Sequence, residues 1–137
     1  MKKDQQFFVV QKAFIDKGGE VLVLNDPIEG LDFPGGKIQE GETDLAGALK
    51  REVYEETGLI IEIGKPFEVG YFEFPLNTGH RNAGKKVYLV GFKCKYISGE
   101  VKLSDEHNKF LWVNSDNYKE VDDHTVFFKL IESYFRK

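Results

Sequence analysis

Apolar positions fall in short blocks along most of the chain, and only two stretches carry a helical repeat. The segment "QQFFVVQKAFI" (5–15) is rich in apolar and aromatic residues and predicts a strand. Asp16-Lys17-Gly18-Gly19 predicts a turn, and "EVLVLN" (20–25) a second strand, so the two form a hairpin. Pro27, Gly30 and Pro34-Gly35-Gly36 crowd residues 25–36, which predicts a loop with tight backbone demands. "LIIEI" (59–63), "FEVGYFEF" (67–74), "KKVYLVGFKCKYI" (85–97) and "KFLWVN" (109–114) predict further strands, and "PLNTGHRNAG" (75–84) a long polar loop.

Helical spacing governs residues 44–57 and the terminal "DDHTVFFKLIESYFRK" (122–137). The terminal helix gathers Val126, Phe127, Leu130, Ile131 and Tyr134 on one side. Strands around one internal and one terminal helix predict an α/β (α+β) sandwich.

The internal helix has an unusual face. Thr43 can cap it, Asp44 suits its first turn, and Gly58 stands where a terminating glycine belongs. At about 100° per residue, Leu45, Ala48, Leu49 and Val53 share one sector. Glu52 and Glu56 fall in the same sector, with Glu55 at its edge and Lys50, Tyr54 and Thr57 facing away. The acidic group therefore continues the apolar face, close to the helix end where the dipole disfavours negative charge. Burying these carboxylates together is costly without cations. Arg51 can neutralise one charge; the remainder calls for a metal, and oxygen ligands suit Mg²⁺ or Mn²⁺. A solvated acidic face is the alternative reading of the helix alone.

Composition narrows the field. The chain has 137 residues, 41% hydrophobic and 14% aromatic, enough for one domain (1–137) with a core. No apolar run approaches the roughly 20 residues of a membrane span, and the first ten residues lack a signal-peptide pattern. The lone Cys94 cannot form an internal disulfide and points to a cytoplasmic protein. A net charge of −4, with both signs mixed, argues against a nucleic-acid partner.

The stretch "GGKIQEGETDLAGALKREVYEETGL" (35–59) resembles the Nudix box, G-x5-E-x7-R-E-U-x-E-E-x-G-U with U aliphatic. Gly36, Glu42, Arg51, Glu52, Val53, Glu55, Glu56, Gly58 and Leu59 match it in type. One departure is visible: eight residues, not seven, separate Glu42 from Arg51. The wheel keeps the helix in register from about Asp44 onward, so the extra residue is expected in the loop near Gly41-Glu42-Thr43. Glu42 is then expected to lose its position beside Arg51, with Asp44 or Thr43 capping the helix.

The resemblance implies the Nudix fold, a mixed sheet between helices, and hydrolysis of a diphosphate linkage with Mg²⁺ or Mn²⁺. "KLSDEHNKFLWV" (102–113) resembles the segment in which such hydrolases place a further metal-binding glutamate, here Glu106. The implied metal ligands are the Gly35 carbonyl, Glu52, Glu55, Glu56 and Glu106, with Glu52 or Glu106 as the base and Arg51 as an orienter. Arg81, beside His80 in the polar loop, is a candidate for substrate phosphate. Phe72, Phe74, Tyr88 and Phe127 are candidates to stack on a base, with core packing as the alternative. Trp112 is expected in the core, Cys94 as an inert small residue, and His107 as a capping or packing residue. The expected substrate is a small nucleotide: a nucleoside triphosphate or a dinucleoside polyphosphate. A nucleotide sugar such as ADP-ribose stays open, as does a nucleotide-binding module without hydrolysis, and the chain is expected as a monomer or homodimer.

Overall fold

The computed structural model describes residues 2–76, 82–121 and 125–136. The first two strands, β1 (Phe8–Lys17) and β2 (Glu20–Asp26), make the expected hairpin. Gly18 and Gly19 turn it with φ of 61° and 88°, a region that side chains with a Cβ avoid. The two strands pair only at Asp16↔Val21 and Lys17↔Glu20, then diverge.

Their divergence shapes everything that follows. Along β2 run β3 (Gly30–Asp32) on one edge and β7 (Lys109–Val113) on the other, both antiparallel. Along β1, the place that β2 leaves is taken by β4 (Gly35–Lys37), which pairs with Val10–Lys12. The Ala13 amide donates to the Pro34 carbonyl at 2.8 Å and locks the corner between β3 and β4. The other edge of β1 pairs in parallel with β6 (Lys86–Ser98), which pairs in turn with β5 (Ile60–Glu73).

Two helices cover opposite faces of this mixed sheet, as expected. On β1, Val10 and Phe14 join Phe33, Val87, Leu89, Leu130 and Ile131 under α2 (Val126–Arg136). The alternate residues Ala13 and Ile15 join Leu22, Leu49, Val53 and Leu59 under α1 (Leu45–Thr57). With both faces covered, β1 is buried continuously from Val10 to Ile15, and its polar members Gln11 and Lys12 are buried with it.

Three local expectations change. The segments expected as separate strands, 59–63 and 67–74, form one strand, β5, irregular between Ile60 and Glu68. Its partner β6 is long enough to carry the ladder across the irregularity. The expected loop at 25–36 contains β3 and β4, too short to leave a periodic signal. Thr57, expected to face away, is fully buried; its hydroxyl donates to the Val53 carbonyl and accepts from the Leu59 amide.

The extra residue of the box lies outside the helix, for α1 runs unbroken from Leu45, but the expected bulge near Gly41-Glu42-Thr43 is not found. Asp44 is its cap, accepting from the Gly47 amide at 3.0 Å, and Gly58 ends the helix at φ 76°. The expected displacement of Glu42 is wrong. Glu42 accepts from Arg51 at 2.8 Å and from the Gln39 amide at 2.7 Å. The turn Gln39–Glu42 closes on itself, so the insertion is absorbed between Glu42 and the helix start and the long arginine spans the gap.

Asp44→Ala should lower stability to urea by about 1 kcal/mol through loss of the cap. Thr43→Ala should change it by less than about 0.5 kcal/mol.

Candidate active site

The splayed strands leave a cleft of about 840 Å³ over the β3–β4 corner. Its polar wall includes Lys12, Asp32, Gly35, Gly36, Glu52, Glu56, Glu106 and His107; its aromatic wall is Phe72, Phe74 and Phe127. The polar wall draws on four separate parts of the chain, β1, the corner at 32–36, α1 and the turn before β7, and the aromatic wall on the end of β5 and on α2.

Backbone geometry explains the glycines. Gly35 has φ 134°, and a Cβ there would strike the Gln11 carbonyl of β1. A Cβ on Gly36 would stand 3.1 Å from Glu52 Oε2. At Gly35 the chain thus approaches β1 more closely than any other residue type allows, while at Gly36 a side chain would have to shift Glu52 slightly.

The helix glutamates divide by depth. Glu56 is 6% exposed, and its carboxyl accepts from the Gly35 amide at 2.9 Å. Burial pushes its pKa up to about 8, against the opposing pull of Lys12 and the Gly35 amide. Glu52 lines the cleft and also accepts from Arg51 at 3.1 Å. The Glu55 side chain is 59% exposed and pairs with Arg51 at 3.6 Å, outside the cleft lining. Arg51 therefore holds Glu42, Glu52 and Glu55 at once.

Glu106 reaches the cleft through the end of α1. Helix ends leave carbonyls without partners inside the helix. Here Lys102 donates to the Thr57 carbonyl at 2.8 Å and Ser104 to the Glu56 carbonyl at 3.2 Å. That docking sets the following turn, with Glu106 and His107, beside Glu56. Glu106 lines the cleft, as expected.

Beneath these groups lies a buried charged network. Lys12 Nζ stands 3.0 Å from Asp32 Oδ1 and donates to the Gly35 carbonyl at 3.3 Å. His107 Nε2 bonds Asp32 Oδ2 at 2.8 Å, while its Nδ1 is buried without a partner among the described residues. Burial alone would raise the Asp32 pKa, but the Lys12 charge and the His107 hydrogen bond hold it below the usual range. Burial would likewise lower Lys12, and the Asp32 and Glu56 charges overturn this and raise it. His107 is raised too, its burial outweighed by the bond to Asp32.

Of the residues singled out in the sequence, Gly35, Glu52, Glu56 and Glu106 come together. Phe72, Phe74 and Phe127 share the cleft, whereas Tyr88 lies outside its lining. Trp112 packs against the α1-side core, and Cys94 is buried with its thiol pushed up to about 12 by burial. Arg81 and His80 lie outside the described residues. Sequence reasoning missed Lys12 and Asp32, and took His107 for a capping or packing residue. The one available signal was a lysine inside the apolar run "FFVVQKAFI".

Residues that carry oxygen donors suited to a hard divalent cation line the cleft: Gly35, Glu52, Glu56 and Glu106. Among the described residues, no three His, Cys, Asp or Glu side chains already form a closed cage. Arg51 accounts for part of this, since it draws Glu52 and Glu55 toward itself. Burial is the main cause of the raised pKa of Glu56, and Lys12 is the cation that opposes it.

Asp32→Asn should cost about 3 kcal/mol in denaturant unfolding, because it strands the buried Lys12 charge. A loss under about 1 kcal/mol would show that Lys12 finds water instead.

The comparisons with known proteins agree with this geometry. The bis(5'-nucleosyl)-tetraphosphatase [asymmetrical] of Rattus norvegicus is 34% identical over 96 residues, 70% of this chain and 63% of that protein. The ADP-ribose pyrophosphatase of Methanocaldococcus jannaschii is 29% identical over 133 residues, 93% of this chain and 73% of that protein. The chain spans slightly less than two thirds of most curated relatives it matches. The crystal structure of a MutT protein from Methanosarcina mazei Go1 superposes with a TM-score of 0.78 at 27% identity, covering 98% of this chain and 96% of that one. The NUDIX domain family matches residues 3–132, nearly the full length, and the chain belongs to that family.

Proposed function

We propose that this chain is a Mg²⁺- or Mn²⁺-dependent hydrolase that cleaves a diphosphate linkage in a nucleoside triphosphate, dinucleoside polyphosphate or related nucleotide. The observation that carries this reading is the meeting of oxygen donors and an aromatic wall in one cleft. Its volume lies within the range of small-molecule sites. Members of this family generally use divalent cations.

The Gly35 carbonyl, Glu52, Glu56 and Glu106 would hold the cation, with Glu55 joining once drawn away from Arg51. The bound cation would supply charge neutralisation for the phosphates and a lowered pKa for water. The chain's own groups do the rest. Gly35 and Gly36 give the phosphates a close backbone approach. Glu52 or Glu106 accepts a proton from the attacking water. Glu56, buried and held by the Gly35 amide, fixes the floor of the site. Arg51 orients Glu52 from the side away from the substrate. Phe72, Phe74 and Phe127 offer faces and edges for a base.

ADP-ribose is the second reading, favoured by the named activity of the Methanocaldococcus relative, whose match spans most of this chain. Binding without hydrolysis is disfavoured because all three helix glutamates and Glu106 are present. No helix among the described residues is long and apolar enough to cross a membrane. The lone cysteine supports a cytoplasmic location, and a monomer or homodimer is the expected state.

Release of phosphate or pyrophosphate should require Mg²⁺ or Mn²⁺ across a panel of nucleoside triphosphates, dinucleoside polyphosphates and ADP-ribose. Glu56→Gln and Glu106→Gln should each lower kcat by roughly a hundredfold or more, with the fold intact. No turnover of any member by the wild type, with either metal, would sink the proposal.

Stability without metal should also depend on pH. The folded-state pKa of Glu56 is raised, so its contribution is fully present below about 4.5 and is lost as pH rises through about 8. The metal-free thermal midpoint should therefore fall across that window in the wild type more than in Glu56→Gln. Parallel pH profiles would refute this.

A further inference from the structure

The Gly35 carbonyl already has a cationic partner. Lys12 is 7% exposed, comes from the middle strand of the sheet, and reaches that oxygen at 3.3 Å. Its other firm partner, Asp32, stands at 3.0 Å. On β1 it shares a face with Val10 and Phe14, both core residues, so its stem is packed and its ammonium has little freedom. The same ammonium lies 5.7 Å from the Phe127 ring centroid, on the aromatic wall of the cleft. Within one network, a lysine thus occupies the oxygen that the proposed function gives to a metal.

We infer that Lys12 is a tethered competitor for the divalent cation: a positioning residue that holds the Gly35 carbonyl when no metal is bound and gives it up when one binds. The inference rests on the proposed binding of a cation at that carbonyl. An ammonium and a divalent cation sharing one buried oxygen repel each other strongly, because little water screens them. Relief comes if Lys12 keeps Asp32 and withdraws from Gly35. The withdrawal frees a donor on a residue that lines the cleft, where a substrate oxygen can take it. Asp32 thus sets how firmly the competitor is held back, and His107, bonded to the other Asp32 oxygen, fixes Asp32.

The arrangement has a physical purpose. Without a divalent cation or Lys12, Asp32 would face the buried Glu56 carboxyl with only His107 as a side-chain partner. Lys12 supplies a counter-charge and keeps the metal-free corner folded, at the expense of metal affinity.

Mn²⁺ binding, measured calorimetrically on the full chain without nucleotide at fixed pH and ionic strength, tests this. Lys12→Met combined with Asp32→Asn removes the competitor while leaving the pair's net charge unchanged, so it separates competition from simple charge. It also leaves no stranded buried ion, and circular dichroism verifies its fold. This double variant should bind Mn²⁺ on the order of tenfold more tightly than wild type, the size expected for giving up one hydrogen bond from a charged donor. Asp32→Asn alone, which turns Lys12 wholly onto Gly35, should bind more weakly than wild type. Lys12→Arg, which keeps a cation at the carbonyl, should show none of the gain. Equal or weaker binding by the folded double variant overturns the inference. Glu56→Gln is the control for the metal site itself. If wild type binds no Mn²⁺, or Glu56→Gln binds it as well, the proposed metal site fails; if that control behaves and the double variant gains nothing, only the role of Lys12 fails.

Discussion

The buried contact between Lys12 and Asp32 is the constraint around which the site is built. Neither group can be left alone in the interior, and an ion pair survives there only when its remaining hydrogen-bonding capacity is met. Here Lys12 adds the Gly35 carbonyl and Asp32 adds His107. The pair thereby joins the central strand to the β3–β4 corner and to the turn before β7. Backbone pairing already holds the corner to β1, and the ion pair adds a side-chain link from that strand to the corner and the turn. The polar network forms the floor where the two strands splay, and the cleft lies above it.

The short helix α1 performs two tasks with adjacent glutamates. Glu56 points inward and is held by a backbone amide; Glu55 points outward and is held by Arg51. Glu52 stands between them, bordering the cleft and still touching the arginine. Exposed ion pairs of this kind contribute little to stability. Their use is geometric, since they fix side chains that repulsion would otherwise scatter. The loop that carries Glu42 completes the clasp despite its extra residue, because a closed turn and a long arginine tolerate a one-residue change better than a helix does.

Opposite the charged wall, Phe72, Phe74 and Phe127 form a herringbone, with ring centroids 5.0 and 6.1 Å apart. Phe127 belongs to α2, so the terminal helix both covers the core and lines the cleft. A ligand bound here would contact both layers of the sandwich. That coupling gives a route by which binding would stabilise the docking of α2.

The sequence by itself determined the hairpin at Gly18-Gly19, the two helices, the carboxylates of α1 and most of its buried face, though Leu45, expected on that face, is exposed and Thr57, expected away from it, is buried. Each of these is a local matter: a turn that needs positive φ, a 3.6-residue repeat, a cap, a terminating glycine. Gly58 was readable for that reason, the cap was narrowed to Thr43 or Asp44, and the conflict between Glu56 and its apolar neighbours was visible too. Only the tertiary structure decided the joining of β5 across its irregularity, the insertion of β4 beside β1, and the partner of Glu42. Those depend on which strand edges are left open and on how far a side chain can reach. The same holds for Lys12, Asp32 and His107, which lie 20 and 75 residues apart in succession. No periodicity links them, because their common cause is the need of buried charges for one another once the sheet has brought them together.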